Sequence, residues 1–151
     1  MREPLLEGIM KIVLGSDHGG FALKEIIKKS LLQAGREILD VGCHSGDAVD
    51  YPDFADKAVS SMLRGDCQRG ILVCGTGIGM SIAANRHRNI RAANCFDIQT
   101  AKLSREHNNA NILCLGARVL DTDNALRMVT TWLEAEFSGG RHQQRIAKLS
   151  E

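Results

Sequence analysis

Aromatic side chains are scarce in this chain: one Trp, one Tyr and four Phe among 151 residues. That leaves little surface on which nucleic-acid bases could stack. Charge of one sign is also missing. Nineteen Lys and Arg stand against eighteen Asp and Glu, a net charge of +1, and the basic residues are dispersed. No field draws the chain to nucleic acid or to an anionic membrane, so neither is an expected partner. No apolar run approaches the roughly 20 residues that span a bilayer. Residues 1–9 carry Glu3 and Glu7, lack the apolar core of a signal peptide, and read as an extension before the first strand. The five cysteines (Cys43, Cys67, Cys74, Cys95 and Cys114) are odd in number and show no CxxC spacing. A disulfide framework is thereby disfavoured, and a reducing, cytoplasmic setting is expected. Paired ligand spacing, an HExxH and a GxSxG elbow are all absent, so neither a metal centre nor a serine hydrolase is predicted.

What is present is the composition of an ordinary globular protein, 44% hydrophobic and 25% charged. The length suits one domain spanning 1–151, with no internal repeat, linker or low-complexity segment. Apolar runs at 12–15, 37–41, 70–74, 90–95 and 112–115 read as strands. Between and after them, helical patterns cover 21–34, 54–63, 80–86, 98–108 and 121–137. Leu23, Ile26, Ile27, Ser30 and Leu31 recur at helical spacing, and Gly35 supplies a stop. Alternation of this kind predicts an α/β fold, a parallel sheet with helices on both faces. Ligands in such folds bind beyond the carboxyl ends of the strands. That rule singles out residues 16–20, 74–79, 96–97 and 116–118.

The richest of these is Ile71-Leu72-Val73-Cys74-Gly75-Thr76-Gly77-Ile78-Gly79, a buried strand entering a glycine turn with a thiol at the junction. A helix pattern follows, so the turn presents unpaired N–H groups at the positive end of a helix. The same dipole favours a thiolate over a thiol. An isolated strand-end cysteine is usually structural; here the adjoining anion hole favours a chemical role for Cys74. Gly75, Gly77 and Gly79 could also belong to a dinucleotide fingerprint, with Asp97 as the ribose acid. Against that, Met80 stands where the third glycine belongs, and the turn follows the third strand rather than the first.

Asp17 and His18 follow the first strand. Asp17 as a helix cap and Asp17-His18 as a proton-transfer pair are readings of equal weight. His107, at the end of the fourth helix pattern, reads by itself as a structural cation on a helix C-terminus. Arg141 and Arg145 lie four apart in the basic segment after Gly139-Gly140. They are either a solvated tail or, on one helical face, a phosphate clamp.

Five motifs then occur in order: Gly15-Ser16-Asp17-His18-Gly19-Gly20-Phe21, Asp50-Tyr51-Pro52, Cys74-Gly75-Thr76-Gly77-Ile78-Gly79, Ser104-Arg105-Glu106-His107-Asn108 and Gly139-Gly140-Arg141-His142-Gln143-Gln144-Arg145. Together, from about residue 10 onward, they resemble the type B ribose-5-phosphate isomerases, within a family that includes galactose-6-phosphate isomerase. The resemblance implies a Rossmann-like three-layer sandwich with a five-stranded parallel sheet, and no cofactor. It implies aldose–ketose isomerisation of a phosphorylated sugar through a cis-enediolate, with Cys74 moving the proton. Thr76 and His107 would open the sugar ring, and Asp17 would handle the proton between O1 and O2. His18 and Tyr51 would line the pocket. The N–H groups from Gly75 through Gly77 to Gly79 would hold the enediolate oxygen, and Asn108 would touch the sugar. Arg141 and Arg145, assisted by Arg118, would bind phosphate. It implies further a homodimer or dimer of dimers, in which the helix-end histidine and the C-terminal arginines come from the neighbouring subunit. Residues 1–9 and the loop 42–49 have no counterpart in these motifs.

Overall fold

A computed structural model describes residues 10–150. The expected extension 1–9 lies outside the described residues. The elements are β1 (Lys11–Ser16), α1 (Phe21–Gln33), β2 (Glu37–Gly42), α2 (Tyr51–Leu63), β3 (Arg69–Cys74), α3 (Ile78–Asn85), β4 (Ala92–Asn94), α4 (Ile98–Glu106), β5 (Ile112–Gly116), α5 (Thr122–Glu134), α6 (Arg141–Ala147) and a closing 3₁₀ turn (Lys148–Ser150). All five strands are parallel and stand in the order β2-β1-β3-β5-β4.

The near-continuous apolar strands reflect burial on both faces. Along each strand the side chains alternate between two cores. Ile12, Leu14, Ile71, Val73, Leu113 and Leu115 pack with Leu23 and Ile27 of α1 and with Met128 and Trp132 of α5. Val13, Leu72, Cys74, Ile112 and Cys114 face the opposite layer, with Ala55 and Val59 of α2 and Met80 of α3. Each fully buried Leu, Ile or Met contributes on the order of 2 kcal/mol of hydrophobic stabilisation. Period-2 alternation therefore sets which layer Cys74 faces, the α2/α3 side. Among the described residues no helix is long and apolar enough to cross a membrane.

Of the elements that differ from the sequence expectation, three bear on the site and its surroundings. The strand expected over 90–95 contracts to Ala92–Asn94, because β4 is an edge strand paired only to β5. On its open side the Asn85 carboxamide takes the place of a strand: Oδ1 accepts the Ala92 N–H at 2.8 Å, and Nδ2 donates to the Ala92 carbonyl at 2.9 Å. The helix expected over 121–137 stops at Glu134, where Ala135 turns extended. The basic segment is a helix, α6, entered through Gly139 and Gly140, both with positive φ.

One buried ion pair ties α1 to β2. Lys24, 1% exposed, donates to Asp40 Oδ2 at 2.7 Å, and Lys28 joins at 3.0 Å. Burial alone would raise the Asp40 carboxyl's pKa, but hydrogen bonds from Lys24, the Gly42 N–H and Lys28 outweigh it and hold it lower than usual. A carboxyl lowered in the folded state stabilises the fold above its unfolded pKa, and that contribution is lost as pH falls through the folded value. Asp40→Asn should cost roughly 3 kcal/mol at pH 7, the low end for breaking a buried pair. Glu25, which also reaches Lys24 Nζ at 3.0 Å, softens the loss. Urea denaturation across pH checks this. The gap between variant and parent should close in strong acid; a gap that persists there would mean the charge is not its origin.

Candidate active site

After β1 the chain turns to one side of the sheet, and after β3 it continues on the other, so these two neighbouring strands form the topological switch point. Loops leaving their carboxyl ends diverge toward α1 and α3 on opposite faces and leave a crevice between them. Asp17 stands on one lip and Cys74 on the other. The Asp17 N–H bonds to the Val73 carbonyl at 3.3 Å, which ties the two lips together.

Cys74 is the last residue of β3 and 4% exposed. The Gly77 N–H donates to its Sγ at 3.1 Å. This closes a tight turn in which Gly77 takes φ +84, a conformation that disfavours any side chain. A Cβ there would also collide with the Asn94 carboxamide. The Ile78 N–H is taken by Thr76 Oγ1 at 3.2 Å, which leaves the Thr76 hydroxyl proton free to donate outward. The N–H groups of Gly75, Thr76 and Gly79 donate to nothing among the described residues. A negatively charged oxygen placed over this turn would meet several donors at once, at the start of α3.

The surrounding side chains are set by contacts distant in sequence. Ala117 and Arg118 donate their N–H groups to the Cys74 and Gly75 carbonyls, each at 2.9 Å, so the β5 loop lies along the β3 loop. The Arg118 guanidinium thereby covers Gly75, whose Cβ would stand 3.4 Å from Nη1. Tyr51 opens α2, and its ring lies against Gly79, where a Cβ would approach to 2.7 Å. Asp17 accepts the Gly20 N–H on Oδ1 at 3.0 Å. It ties its own loop without capping α1, whose cap, Gly20, has no side-chain bond. His18 Nδ1 accepts the Val49 N–H at 3.2 Å, which places a neutral ring's proton on Nε2 as an outward donor.

That contact gives the loop 42–49 its place. It folds beside the crevice, held by His18, by the Cys43 N–H on the Ser16 carbonyl at 2.9 Å, and by the Ser16 Oγ–Cys43 Sγ contact at 3.6 Å. Sequence reasoning also missed Asn94. It ends β4 beside Gly77, and the rule of strand carboxyl ends would have found it had the strand not been read through to Cys95.

Four of the sequence-selected residues lie elsewhere. A helix that follows a parallel strand runs back across the sheet, so α4 begins near the carboxyl edge and ends at the amino edge. The Asn111 carbonyl confirms the level by accepting the Gly70 N–H at the start of β3. Cys74 ends β3 at the carboxyl edge of the sheet, whereas His107 and Asn108 follow α4 toward the amino edge. There His107 stacks on His142, ring centroids 4.3 Å apart and 15° from parallel. His142 is held below the ordinary imidazole pKa, first by loss of water and then by His107, Arg141 and Arg145. Arg141 and Arg145 are exposed on α6, one helical turn apart. The Ser138 N–H bonds to the Glu106 carbonyl at 2.9 Å and anchors this segment to the end of α4.

One chain therefore carries two separate groups of candidate residues. A thiol–anion-hole half holds Asp17, His18, Tyr51, Cys74, Thr76 and Arg118; a histidine–arginine half holds His107, Asn108, Arg141 and Arg145. A cleft of about 400 Å³ opens beside Asn108 and Arg91, and no thiol or carboxylate lines it. Among the described residues no three His, Cys, Asp or Glu side chains gather as a metal would require. All five cysteines are buried and unpaired.

A protein-family model described as Ribose/Galactose Isomerase matches residues 12–149. The Escherichia coli ribose-5-phosphate isomerase B is 44% identical over 140 residues, which cover 93% of this chain and 94% of that one. Among solved structures, the Clostridium thermocellum ribose-5-phosphate isomerase B superposes with a TM-score of 0.92 at 53% identity, over 93% of this chain and 95% of that one. The Mycoplasma genitalium ribose-5-phosphate isomerase B, solved with bound ribulose-5-phosphate, gives 0.88 at 41% identity over 93% of each chain.

Proposed function

The chain belongs to the ribose/galactose isomerase family, and from that premise we propose that it interconverts ribose 5-phosphate and ribulose 5-phosphate through a cis-enediolate, with Cys74 as the proton-transfer base. The observation that carries the assignment of the base is the Gly77 N–H on Cys74 Sγ, at the head of a turn with unpaired donors. That hydrogen bond fixes the sulfur beside the donors that would meet a developing oxyanion.

Ring opening comes first, because a pentose phosphate rests as a furanose. His107 takes the O1 proton, the C1–O4 bond breaks as the C1=O1 carbonyl forms, and that proton reaches O4 through the Thr76 hydroxyl, which receives one as it gives one. The Cys74 thiolate then removes the proton from C2. The C2–H electrons form the C1=C2 bond, and the carbonyl pair settles on O1 as the enediolate oxygen. Unpaired N–H groups of the 75–79 turn meet that charge where it develops. Asp17 carries the proton between O2 and O1, and Cys74 returns its proton to C1. Arg141 and Arg145 hold the phosphate as guanidinium clamps, with Arg118 alongside.

The two half-sites require two copies of the chain, in a homodimer or a dimer of dimers. Support comes from the apolar rim of the thiol half. Ile78 and Ile82, one turn apart on α3, are 54% and 61% exposed, and Phe96 is 65% exposed. Large apolar side chains grouped beside a site mark an interaction surface. A partner covering them would bring its own His107 and arginines to Cys74.

Because the family model also covers galactose enzymes, the same chemistry on a hexose 6-phosphate is the second reading. A coupled assay at matched concentrations separates the two. Ribose 5-phosphate should exceed allose 6-phosphate and galactose 6-phosphate in kcat/KM by tenfold or more, about 1.4 kcal/mol or more in transition-state binding. A hexose preference would keep the mechanism and change the substrate; no turnover on any of them would sink the proposal.

A further inference from the structure

The turn that carries His107 and Asn108 is built unusually. His107 and Asn108 are exposed, Asn109 is half-buried and Ala110 is buried. Asn109 takes φ +47, a conformation that non-glycine residues rarely adopt and that reverses the chain after α4. Three acceptors of this reversal are held by guanidinium groups. Arg105, 5% exposed, donates through Nη1 to Asn109 Oδ1 at 2.8 Å and to the Ala110 carbonyl at 2.7 Å. Arg91 donates through Nε to the Asn109 carbonyl at 2.9 Å. The Asn111 side chain locks the next residues, accepting the Arg91 N–H at 2.8 Å and donating to the Asn89 carbonyl at 2.9 Å.

This arrangement is costly. Arg105 makes no ion pair among the described residues, its Nε has no partner, and Arg69 and Arg91 are like-charged neighbours. Burial, followed by repulsion from Arg69 and then Arg91, lowers its pKa to about 10, so it is still a cation at neutral pH. A turn that only had to connect a helix to a strand could end in glycine, with no buried charge at all.

We propose that Arg105 is a positioning residue: its buried guanidinium sets the 107–110 turn so that His107 and Asn108 project outward in the geometry the sugar requires. This rests on the role given above to His107. Arg105 acts through His107 and Asn108 and touches no substrate. The position of a reacting side chain and of a sugar contact thus depends on a residue buried beneath them.

A double-mutant cycle tests it, with kcat and KM for ribose 5-phosphate measured on the parent, Arg105→Met, His107→Ala and the double variant. Arg105→Met should lower kcat roughly ten- to a hundredfold, the effect of displacing a catalytic group by about 1 Å. KM should change less than kcat, because this guanidinium makes no hydrogen bond to α6 or its arginines. Adding Arg105→Met to His107→Ala should then cost little more than His107→Ala alone. Additive losses, an unchanged kcat or a loss confined to KM would overturn the positioning role while leaving the isomerase reading intact. Parental turnover by His107→Ala would overturn the positioning role together with the ring-opening role given to His107. If Arg105→Met does not fold, Asn109→Gly replaces it. That variant keeps the positive φ and deletes only the acceptor, and a several-fold fall in kcat, again absorbed by His107→Ala, is expected.

Discussion

Cys74→Ala is expected to lower kcat by about 10²- to 10⁴-fold while KM changes little, since a general base acts in the transition state rather than in binding. On the barrier this is roughly 3–5 kcal/mol. The fold should survive, because the side chain is small and its loss leaves a single N–H, that of Gly77, without its partner. That orphaned donor costs about 1–3 kcal/mol of stability. Cys74→Ser separates the two roles. A hydroxyl can accept the Gly77 N–H, so stability should return, but an alkoxide is too costly at neutral pH to serve as base, so turnover should not. Steady-state kinetics beside urea denaturation of both variants decides the matter. Near-parental turnover in either would remove Cys74 from the mechanism.

The second large effect is recovery rather than loss. Cys74→Ala and His107→Ala should each be nearly inactive alone, yet a mixture refolded together should regain activity. If each site joins the thiol half of one copy to the histidine half of another, a heterodimer has one site with both defects and one with neither. Random pairing makes about half the dimers mixed, with half their sites intact, so about one quarter of parental activity should appear. The observation behind this is the separation of the half-sites within one chain, Cys74 at the carboxyl edge and His107 at the amino edge of the sheet. Activity of the co-refolded mixture against separately refolded controls is the measurement. A mixture no better than its parts would place both residues' functions within one copy, or remove one of them from the reaction.

The strands and most helices were legible in the sequence because their signals are local. Apolar runs such as Ile71-Leu72-Val73 have no polar alternative to burial, and helical spacing in α1 has no other use. The β-α alternation then implied a parallel sheet, and the glycine turn after Cys74 pointed to the candidate site. His107, Arg141 and Arg145 were different. Taken singly they read as a helix-end cation and a basic tail, and only the ordered motifs joined them to Cys74.

Tertiary structure decided what depends on partners far along the chain. Strand order is one such decision: β5 lies between β3 and β4, which leaves β4 an edge whose length the Asn85 side chain limits. The 42–49 loop is another, placed at the crevice by a bond from Val49 to His18 across 31 residues. The tight packing of Tyr51 on Gly79 and of Arg118 on Gly75 is a third. Burial patterns repeat every two or four residues and can be read in a short window. A hydrogen bond between two loops leaves no periodic trace, so the sequence by itself determined the layers and the thiol turn, and the tertiary structure determined what surrounds that turn and that His107 lies beyond its reach within one chain.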